Sequence, residues 1–275
     1  MSIGLDKLSA VFIGAGGLAW SVSHALANAG LSIRQIVSPT PTNGLLLANE
    51  LGCTYASSIT QVDLGADIFF IAVPDRSIAR VAEELALQLP DSATVVHSSG
   101  SVSITALHRH GNTAIFYPFQ TFTRGRVVDL SNVAVFIEAS NSRTLALVTA
   151  LASAVTNQVH SITSEQRLLV HLAGVIGNNF TNFLIGKSGE FLQKQGLSTE
   201  ILHPLILETV SKAFELSPEK AQTGPAVRND IVVLEKHLEM LHSEPELQRL
   251  YALFSELIAL KKTENITDND ITSHE

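Results

Sequence analysis

Residues 10–30, AVFIGAGGLAWSVSHALANAG, decide the fold of this chain of 275 residues. They begin with an apolar run, break at a cluster of glycines, and resume with apolar and small residues at helical spacing. This order predicts a strand, a tight turn and a helix. The turn places Gly14, Gly16 and Ala19 in the pattern Gly-x-Gly-x-x-Ala, which is typical of loops that bind a dinucleotide.

Each small residue of this turn has a physical role in such a loop. Gly14 permits the tight turn, Gly16 lets the backbone approach a pyrophosphate, and Ala19 keeps the helix close to the strand. The first helical residues, Gly17 and Leu18, add unpaired N–H groups and the positive end of the helix dipole. We expect these residues to bind a cofactor. The alternative is a tight turn with a structural role only.

The composition indicates a folded protein with a large core, because 45% of residues are hydrophobic and only 16% are charged. A net charge of −8 argues against nucleic acid or an anionic membrane as the main partner. The single cysteine, Cys53, excludes an intrachain disulfide and leaves no thiolate cluster for a metal. No signal-peptide pattern and no apolar run of membrane-spanning length is apparent, so we expect a cytoplasmic protein.

Strand-like segments alternate with helical segments as far as residue 162. Their apolar runs lie at residues 31–37, 53–56, 66–73, 94–97, 114–119 and 133–137. The alternation predicts a Rossmann-like α/β fold with a doubly wound parallel sheet. From Thr163 onward only helical periodicity is present. We therefore expect a dinucleotide-binding domain over residues 1–162 and an all-helical substrate or dimerisation domain over residues 163–275.

The end of the second predicted strand favours NADP over NAD. An acidic residue normally binds the ribose hydroxyl of NAD here, and none occurs between residues 31 and 49. Hydroxyls stand there instead, on Ser38, Thr40 and Thr42, and they do not repel a 2′-phosphate. The sequence shows no arginine beside them to clamp that phosphate, so a polar loop without a binding role is the alternative.

Two further strand ends mark the expected ligand crevice. Val73, Pro74 and Asp75 follow one strand, and we expect them beside the cofactor, although Asp75 is equally explained as a helix cap. Ser98 and Ser99 follow the next strand and are candidates to bind a substrate oxygen, or else to cap a turn. The preceding histidine lies inside an apolar strand, which is more typical of a core residue than of a catalytic one.

The helical region carries two polar features. At 100° per residue, His171, Asn178, Asn182 and Gly189 fall on one helix face, either toward the crevice or in a helix or dimer interface. In the loop 223–230, Arg228 is a candidate to hold a substrate carboxylate, with Asp230 capping the next helix or orienting the arginine. A purely structural contact between these two side chains is the alternative.

Together these motifs resemble a known family. The N-terminal half is similar to the NADP-binding domain of pyrroline-5-carboxylate reductases and deazaflavin-dependent NADP oxidoreductases. The C-terminal half resembles the helical domain of unknown function that accompanies it, of the 6-phosphogluconate dehydrogenase C-terminal type. The motifs that carry the resemblance are Gly14-x-Gly16-x-x-Ala19, Val73-Pro74-Asp75, residues 97–100 (HSSG), residues 117–122 (YPFQTF), His171, Asn178-Asn179-Phe180 and Thr223-Gly224-Pro225-x-x-Arg228-x-Asp230.

The resemblance implies a nicotinamide-linked oxidoreductase that forms a homodimer through its helical domain. Two positions depart from the patterns of related proteins. Tyr117 stands where the family usually has histidine, and Gly174 stands four residues before Asn178, where related β-hydroxyacid dehydrogenases have a catalytic lysine. Another group must therefore exchange the proton.

The leading hypothesis is an NADP-dependent oxidoreductase acting on a small polar C=O or C=N compound. His171 is the expected acid or base, because histidine titrates near neutral pH. Asn178 would orient the substrate, Ser98 or Ser99 would bind its oxygen, and Arg228 would attract a carboxylate. The alternatives are a non-catalytic dinucleotide sensor and, less favoured, a helical assembly module.

Overall fold

A computed structural model describes residues 4–272, with side chains described as far as Lys261. The chain forms two compact units, Met1–Asn178 and Asn179–Glu275. The first unit contains the predicted dinucleotide-binding domain and also the beginning of the helical region. It extends past residue 162 because Arg167 in that helical region is bonded to Glu138 of the sheet.

In the described part of the chain, eight strands form one sheet in the order β3-β2-β1-β4-β5-β6-β7-β8. The strands are β1 (Ser9–Ile13), β2 (Ser32–Val37), β3 (Thr54–Ala56), β4 (Ile68–Ile71), β5 (Thr94–His97), β6 (Asn112–Pro118), β7 (Val135–Ala139) and β8 (Val159–Ser161). The Rossmann-like α/β prediction is confirmed, although the short edge strand β8 carried too few apolar residues to be predicted.

One pairing departs from the predicted parallel sheet, because β7 runs antiparallel to β6. A parallel pairing requires a crossover connection, which is usually helical. The connection between β6 and β7, residues 119–134, contains no helix. The chain therefore turns back beside β6, and the sheet is mostly rather than wholly parallel.

Helices cover both faces of the sheet. Those of the first unit are α1 (Gly17–Asn28), α2 (Pro41–Leu51), α3 (Asp75–Ala86), α4 (Ser142–Ser153) and α5 (Ser164–Gly174). Alternate strand residues point to opposite faces, so Phe12 belongs to one apolar cluster and the adjacent Val11 to another. Residues of α1, α2 and α4 join the first cluster, and residues of α3 join the second. Two apolar layers thus hold the strand ends in place.

The second unit is helical throughout its described residues. Its helices are α6 (Thr181–Lys194), α7 (Leu202–Leu216), α8 (Pro218–Ala221), α9 (Pro225–Arg228), α10 (Ile231–Met240) and α11 (Pro245–Thr272). These helices expose many large apolar side chains, including Phe183, Leu205 and Phe214. Apolar surface of this extent is usually covered by another molecule.

Between α5 and α6 the chain forms a π-helix, Val175–Phe180. The common face predicted for His171, Asn178, Asn182 and Gly189 assumed an uninterrupted rotation of 100° per residue. That assumption was wrong, because a π-helix bonds residue i to i+5 and winds more widely than an α-helix. Periodicity alone therefore does not place these four residues on one face.

The expectation that no segment has the length of a membrane span also needs correction. Within the described residues, the helical run Ser164–Lys194 has 31 residues and contains an 18-residue window with a mean hydropathy of 1.4, so length and composition alone would allow it to span a membrane. Such a run is weak evidence on its own. Arg167 near its start is 1% exposed and is bonded to Glu138 in the sheet, a contact that a lipid-embedded helix would not make.

Candidate functional site

A cavity of about 500 Å³ lies in the first unit at the carboxyl ends of β1, β2 and β4. Six of the nine predicted cofactor residues line it: Gly14, Gly16, Ser38, Thr40, Val73 and Pro74. The other three, Gly17, Leu18 and Asp75, are not among its lining residues. The motif spacing therefore located the cavity but overstated how many of its residues face inward.

The glycine loop has the geometry that a pyrophosphate needs. Gly14 has φ +116°, and a Cβ there would lie 2.1 Å from the carbonyl oxygen of Ala72, so only glycine fits. Gly16 differs, because no atom lies within 4 Å of the position that its Cβ would occupy. Helix α1 begins directly after it without a side-chain cap. Its first N–H groups are thus available to an anion, and the loop fits a dinucleotide.

Gly17 also meets a packing requirement that the sequence did not reveal. A Cβ on Gly17 would lie 2.8 Å from the carbonyl carbon and oxygen of Phe122, which belongs to the connection between β6 and β7. The glycine therefore permits this connection to cross the start of α1. The residue is not a lining residue of the cavity, and the role predicted for its backbone N–H stays a prediction.

The hydroxyl-rich end of β2 lies in the cavity as predicted. The backbone N–H of Thr40 donates to Oγ of Ser38 over 3.2 Å, and the hydroxyl of Tyr55 donates to the carbonyl oxygen of Ser38 over 2.8 Å. These bonds hold the loop in one conformation. Both arginines at the cavity were missed from the sequence, since Arg80 and Arg124 lie far from β2 along the chain but line the same space.

Asp75 connects the ends of two neighbouring strands. It is the first residue of α3, whereas Pro74 occupies the N-cap position, so the helix-cap alternative was wrong. Its Oδ2 accepts a hydrogen bond from Oγ of Ser101 over 2.5 Å. The carboxylate therefore fixes the turn after β5 and does not line the cavity.

The polar residues at the end of β5 and in the turn after it have different roles. His97 is fully buried, and burial lowers its pKa to about 4, so the ring is neutral. Its Nδ1 accepts from the N–H of Ser99, and Nε2 donates to the carbonyl oxygen of Ser103. The Oγ of Ser99 accepts from the N–H groups of Ser101 and Val102. His97 and Ser99 thus serve the structure of the turn.

Ser98 remains as the candidate that faces a ligand. The residue is 6% exposed, and among the described residues its Oγ is the buried side-chain polar atom that lacks a hydrogen-bond partner. Buried hydroxyls are almost always bonded, and an exception calls for a functional explanation. A substrate atom at this position would supply the missing partner.

His171 lies beside this turn, bonded to a residue that the site prediction did not include. The hydroxyl of Tyr117 is 3.1 Å from Nδ1 of His171. Burial raises the pKa of the Tyr117 phenol above its usual value, so the hydroxyl keeps its proton. A hydroxyl both donates and accepts, so it can bond Nδ1 with or without a proton. This contact occupies Nδ1 and leaves Nε2 as the other ring nitrogen.

Gly100 makes this contact possible. A Cβ at Gly100 would lie 2.6 Å from Nδ1 of His171 and 2.7 Å from Cζ of Tyr117. Both distances are shorter than any real Cβ contact. The two rings therefore close over the backbone of the turn after β5, which brings together residues that are 54 positions apart in the sequence.

Arg167 holds this cluster in place and was also missed. Its guanidinium bonds a carboxylate oxygen of Glu138 (2.6 Å), the carbonyl oxygens of Ser99 (3.1 Å) and Val102 (2.5 Å), and Oγ of Ser164 (3.3 Å). It lies one turn before His171 on α5. The arginine therefore fixes both the turn that carries Ser98 and the helix that carries His171.

The remaining predicted residues belong to other elements of the chain. Asn178 belongs to the π-helix. Arg228 is exposed at the end of α9 in the second unit, and Asp230 caps α10 by accepting from the N–H of Val233, as predicted. Gly189 is buried in α6, where a Cβ would lie 3.1 Å from Thr199, so a packing role explains it.

Comparison with known proteins identifies two sequence families. The one described as NADP oxidoreductase coenzyme F420-dependent matches residues 9–99, and Domain of unknown function (DUF2520) matches residues 133–258. A structure from Bacteroides fragilis, described as a putative NADP oxidoreductase, is 36% identical with a TM-score of 0.89, and the match covers 93% of this chain and 99% of that chain. The resemblance inferred from the motifs is confirmed.

Two further structures are similar over nearly their full length. A protein from Thermotoga maritima is 25% identical with a TM-score of 0.70, and the match covers 93% of this chain and 99% of that one. A pyrroline-5-carboxylate reductase from Coxiella burnetii shares the fold, with 18% identity, a TM-score of 0.54, and coverage of 94% and 98%. No curated protein matches the chain.

Proposed function

Because the chain belongs to the NAD(P)-dependent oxidoreductase family that these matches define, we propose that it transfers hydride between NADP and a small polar C=O or C=N substrate. One observation carries the proposal. The open glycine-loop cavity and the cluster of Ser98, Tyr117 and His171 lie at the carboxyl ends of the neighbouring strands β1, β4, β5 and β6. That edge of a doubly wound sheet is where cofactor and substrate meet.

The choice of NADP rests on the end of β2. Ser38 and Thr40 line the cavity, and no carboxylate from this loop opposes a 2′-phosphate. The carboxylate that does line the cavity, Glu84, is bonded to Arg80 over 2.6 Å and is therefore neutralised. The electrostatics of the cavity thus tolerate the additional phosphate of NADP.

The residues of the chain supply binding and proton transfer. A bound nicotinamide supplies the carbon that exchanges hydride with the substrate. Ser98 donates a hydrogen bond to the reacting oxygen or nitrogen, and this bond satisfies its buried Oγ. His171 exchanges the proton through Nε2, while Tyr117 holds Nδ1 and so fixes the orientation of the ring. This division of roles replaces the catalytic lysine of the related dehydrogenases.

Two residues are proposed to position the substrate. Arg228 is exposed and forms no ion pair among the described residues, so its guanidinium is available to a substrate carboxylate. Asn178 would orient the polar end of the substrate through its amide. Both assignments rest on residue chemistry.

We also propose a cytoplasmic homodimer formed through the helical region. The exposed apolar side chains of α6 and α7 support it, since a second copy would remove them from water. A reduced lone cysteine fits a cytoplasmic location. Light scattering on the eluted protein would report twice the chain mass if the proposal is right and the chain mass if it is wrong.

The first experiment is a titration of the purified protein with NADPH and NADH, followed by nicotinamide fluorescence and the melting temperature. We expect tighter binding of NADPH. Equal binding would remove the assigned role of Ser38 and Thr40. Binding of neither nucleotide would refute the oxidoreductase proposal, whereas binding without turnover in a screen of small carbonyl and imine compounds would favour a sensor.

A further inference from the structure

The connection between β6 and β7, residues 119–134, is fastened across the start of α1. A Cβ on Gly17 would lie 2.8 Å from the backbone of Phe122, so the two backbones nearly touch. One turn later, Oγ of Ser21 donates to the carbonyl oxygen of Arg126 over 3.3 Å and accepts from the N–H of Val128 over 3.2 Å. The connection is thus held to α1 on both sides of residue 124.

Arg124 lies between these two anchors and lines the cavity together with Gly14, Ala15 and Gly16. Its guanidinium forms no salt bridge or hydrogen bond among the described side chains. The other arginine of the cavity, Arg80, is already bonded to Glu84. Arg124 therefore contributes an uncompensated positive charge beside the glycine loop.

The sheet order decides which phosphate this charge faces. In the order β3-β2-β1-β4-β5-β6, the strand β2 lies on one side of β1, and β6 lies on the other. The loop that ends β2, with Ser38 and Thr40, is where a ribose 2′-phosphate is expected. The connection that carries Arg124 leaves β6 and reaches the glycine loop from the opposite side. Its two anchors, at Gly17 and Ser21, fasten the connection to the start of α1, where a pyrophosphate binds in this fold, and not to the loop that ends β2.

We propose that Arg124 binds the pyrophosphate of the dinucleotide beside the start of α1. The inference rests on the proposed dinucleotide function. An arginine fork bonds phosphate oxygens through two N–H groups, and such charge-assisted bonds are about twice as strong as neutral ones. The N–H groups at the start of α1 would bond the same pyrophosphate. Since NADP and NAD share the pyrophosphate, Arg124 adds affinity for both and discriminates between neither.

The test compares Arg124→Gln with Arg126→Gln. Arg126 belongs to the same connection, but only its backbone is bonded to α1 and it does not line the cavity. Each protein is titrated with NADPH and with NADH by fluorescence. We expect Arg124→Gln to weaken binding of both nucleotides by about tenfold, by the same factor for each. The Arg126→Gln control should match the wild type.

An unchanged affinity in Arg124→Gln would overturn the inference, and so would a loss confined to NADPH, which would place the residue at the 2′-phosphate instead. Arg124→Lys serves as a second variant. It keeps the charge without the fork, so we expect an affinity between those of the wild type and Arg124→Gln. A wild-type protein that binds neither nucleotide would refute the proposed function itself. This outcome differs from one in which the wild type binds and Arg124→Gln has the same affinity.

Discussion

Replacing Arg167 by methionine should destabilise the first unit strongly. The side chain is 1% exposed and bonds Glu138 together with two backbone carbonyls of the turn after β5. Methionine has a similar length but bonds none of them. Removing one partner of a buried ion pair costs about 3–5 kcal/mol, because the other charge is left uncompensated. Glu138 is 19% exposed and keeps its bond from Ser164, so we expect the lower end, about 3 kcal/mol.

The measurement is urea-induced unfolding followed by circular dichroism, at one fixed protein concentration. A loss of about 3 kcal/mol corresponds to a fall of about 6–12 °C in the melting temperature for a unit of this size. Arg109→Met is the matched control, since Arg109 forms an exposed pair with Glu83 over 3.4 Å. Exposed pairs contribute about 0–1 kcal/mol.

A second substitution isolates the energetic cost of the carboxylate of Glu138 that loses its partner. In Arg167→Met with Glu138→Gln, no uncompensated carboxylate remains, so the double variant should recover about 1 kcal/mol relative to Arg167→Met. The reasoning is refuted if Arg167→Met is no less stable than the Arg109→Met control. It is also refuted if the double variant is less stable than the single one, because the loss of stability would then not come from the unpaired carboxylate of Glu138.

Three further predictions concern the turn after β5. Ser98→Ala should raise the free energy of unfolding by about 1 kcal/mol, because it removes a buried Oγ that has no partner, yet lower turnover on an identified substrate; a loss of stability would show that the hydroxyl is bonded in solution. Gly100→Ala should separate Tyr117 from His171 and destabilise the protein by about 1–3 kcal/mol; a crystal structure of the variant with the 3.1 Å contact intact would contradict this. Burial lowers the pKa of His97 to about 4, so on acidification the unfolded state binds a proton at a higher pH than the folded state does. The contribution of His97 to the free energy of unfolding is therefore fully present above pH 6.5 and falls by about 3 kcal/mol as the pH drops to 4. In urea titrations at each pH, His97→Gln should reduce this loss of stability.

Local patterns were sufficient to predict every described strand except β8, and most of the residues predicted to bind the cofactor line one cavity. The residues of the glycine loop are contiguous in the sequence, so their spacing can be recognised without knowledge of the fold. The steric requirement at Gly14 comes from the carbonyl of Ala72, which directly follows β4, the strand that pairs with β1. A motif whose partners are set by strand adjacency can be recognised from spacing alone.

The contacts that complete the site could not be predicted in this way. Tyr117 and His171 meet across 54 residues, and nothing in either local sequence records the other. Arg124 reaches the glycine loop only because the connection after β6 contains no helix and crosses α1. Arg167 lies in a leucine-rich helix, where periodicity indicates packing and gives no sign of a buried charge. Each of these contacts depends on the order of strands in the sheet, which a single sequence does not specify.

The distinction between an enzyme and a sensor depends on Ser98. A protein that only binds a dinucleotide needs the cavity and the glycine loop, and it gains nothing from a buried hydroxyl left without a partner, which costs about 1–3 kcal/mol. Around Ser98, the neighbouring polar groups of His97, Ser99 and Ser101 are bonded, either within the turn or to Asp75. An unsatisfied hydroxyl in an otherwise satisfied turn, beside a histidine with Nε2 free to exchange protons, is the arrangement that a reacting oxygen or nitrogen would complete. The enzyme hypothesis explains this cost, and the sensor hypothesis does not.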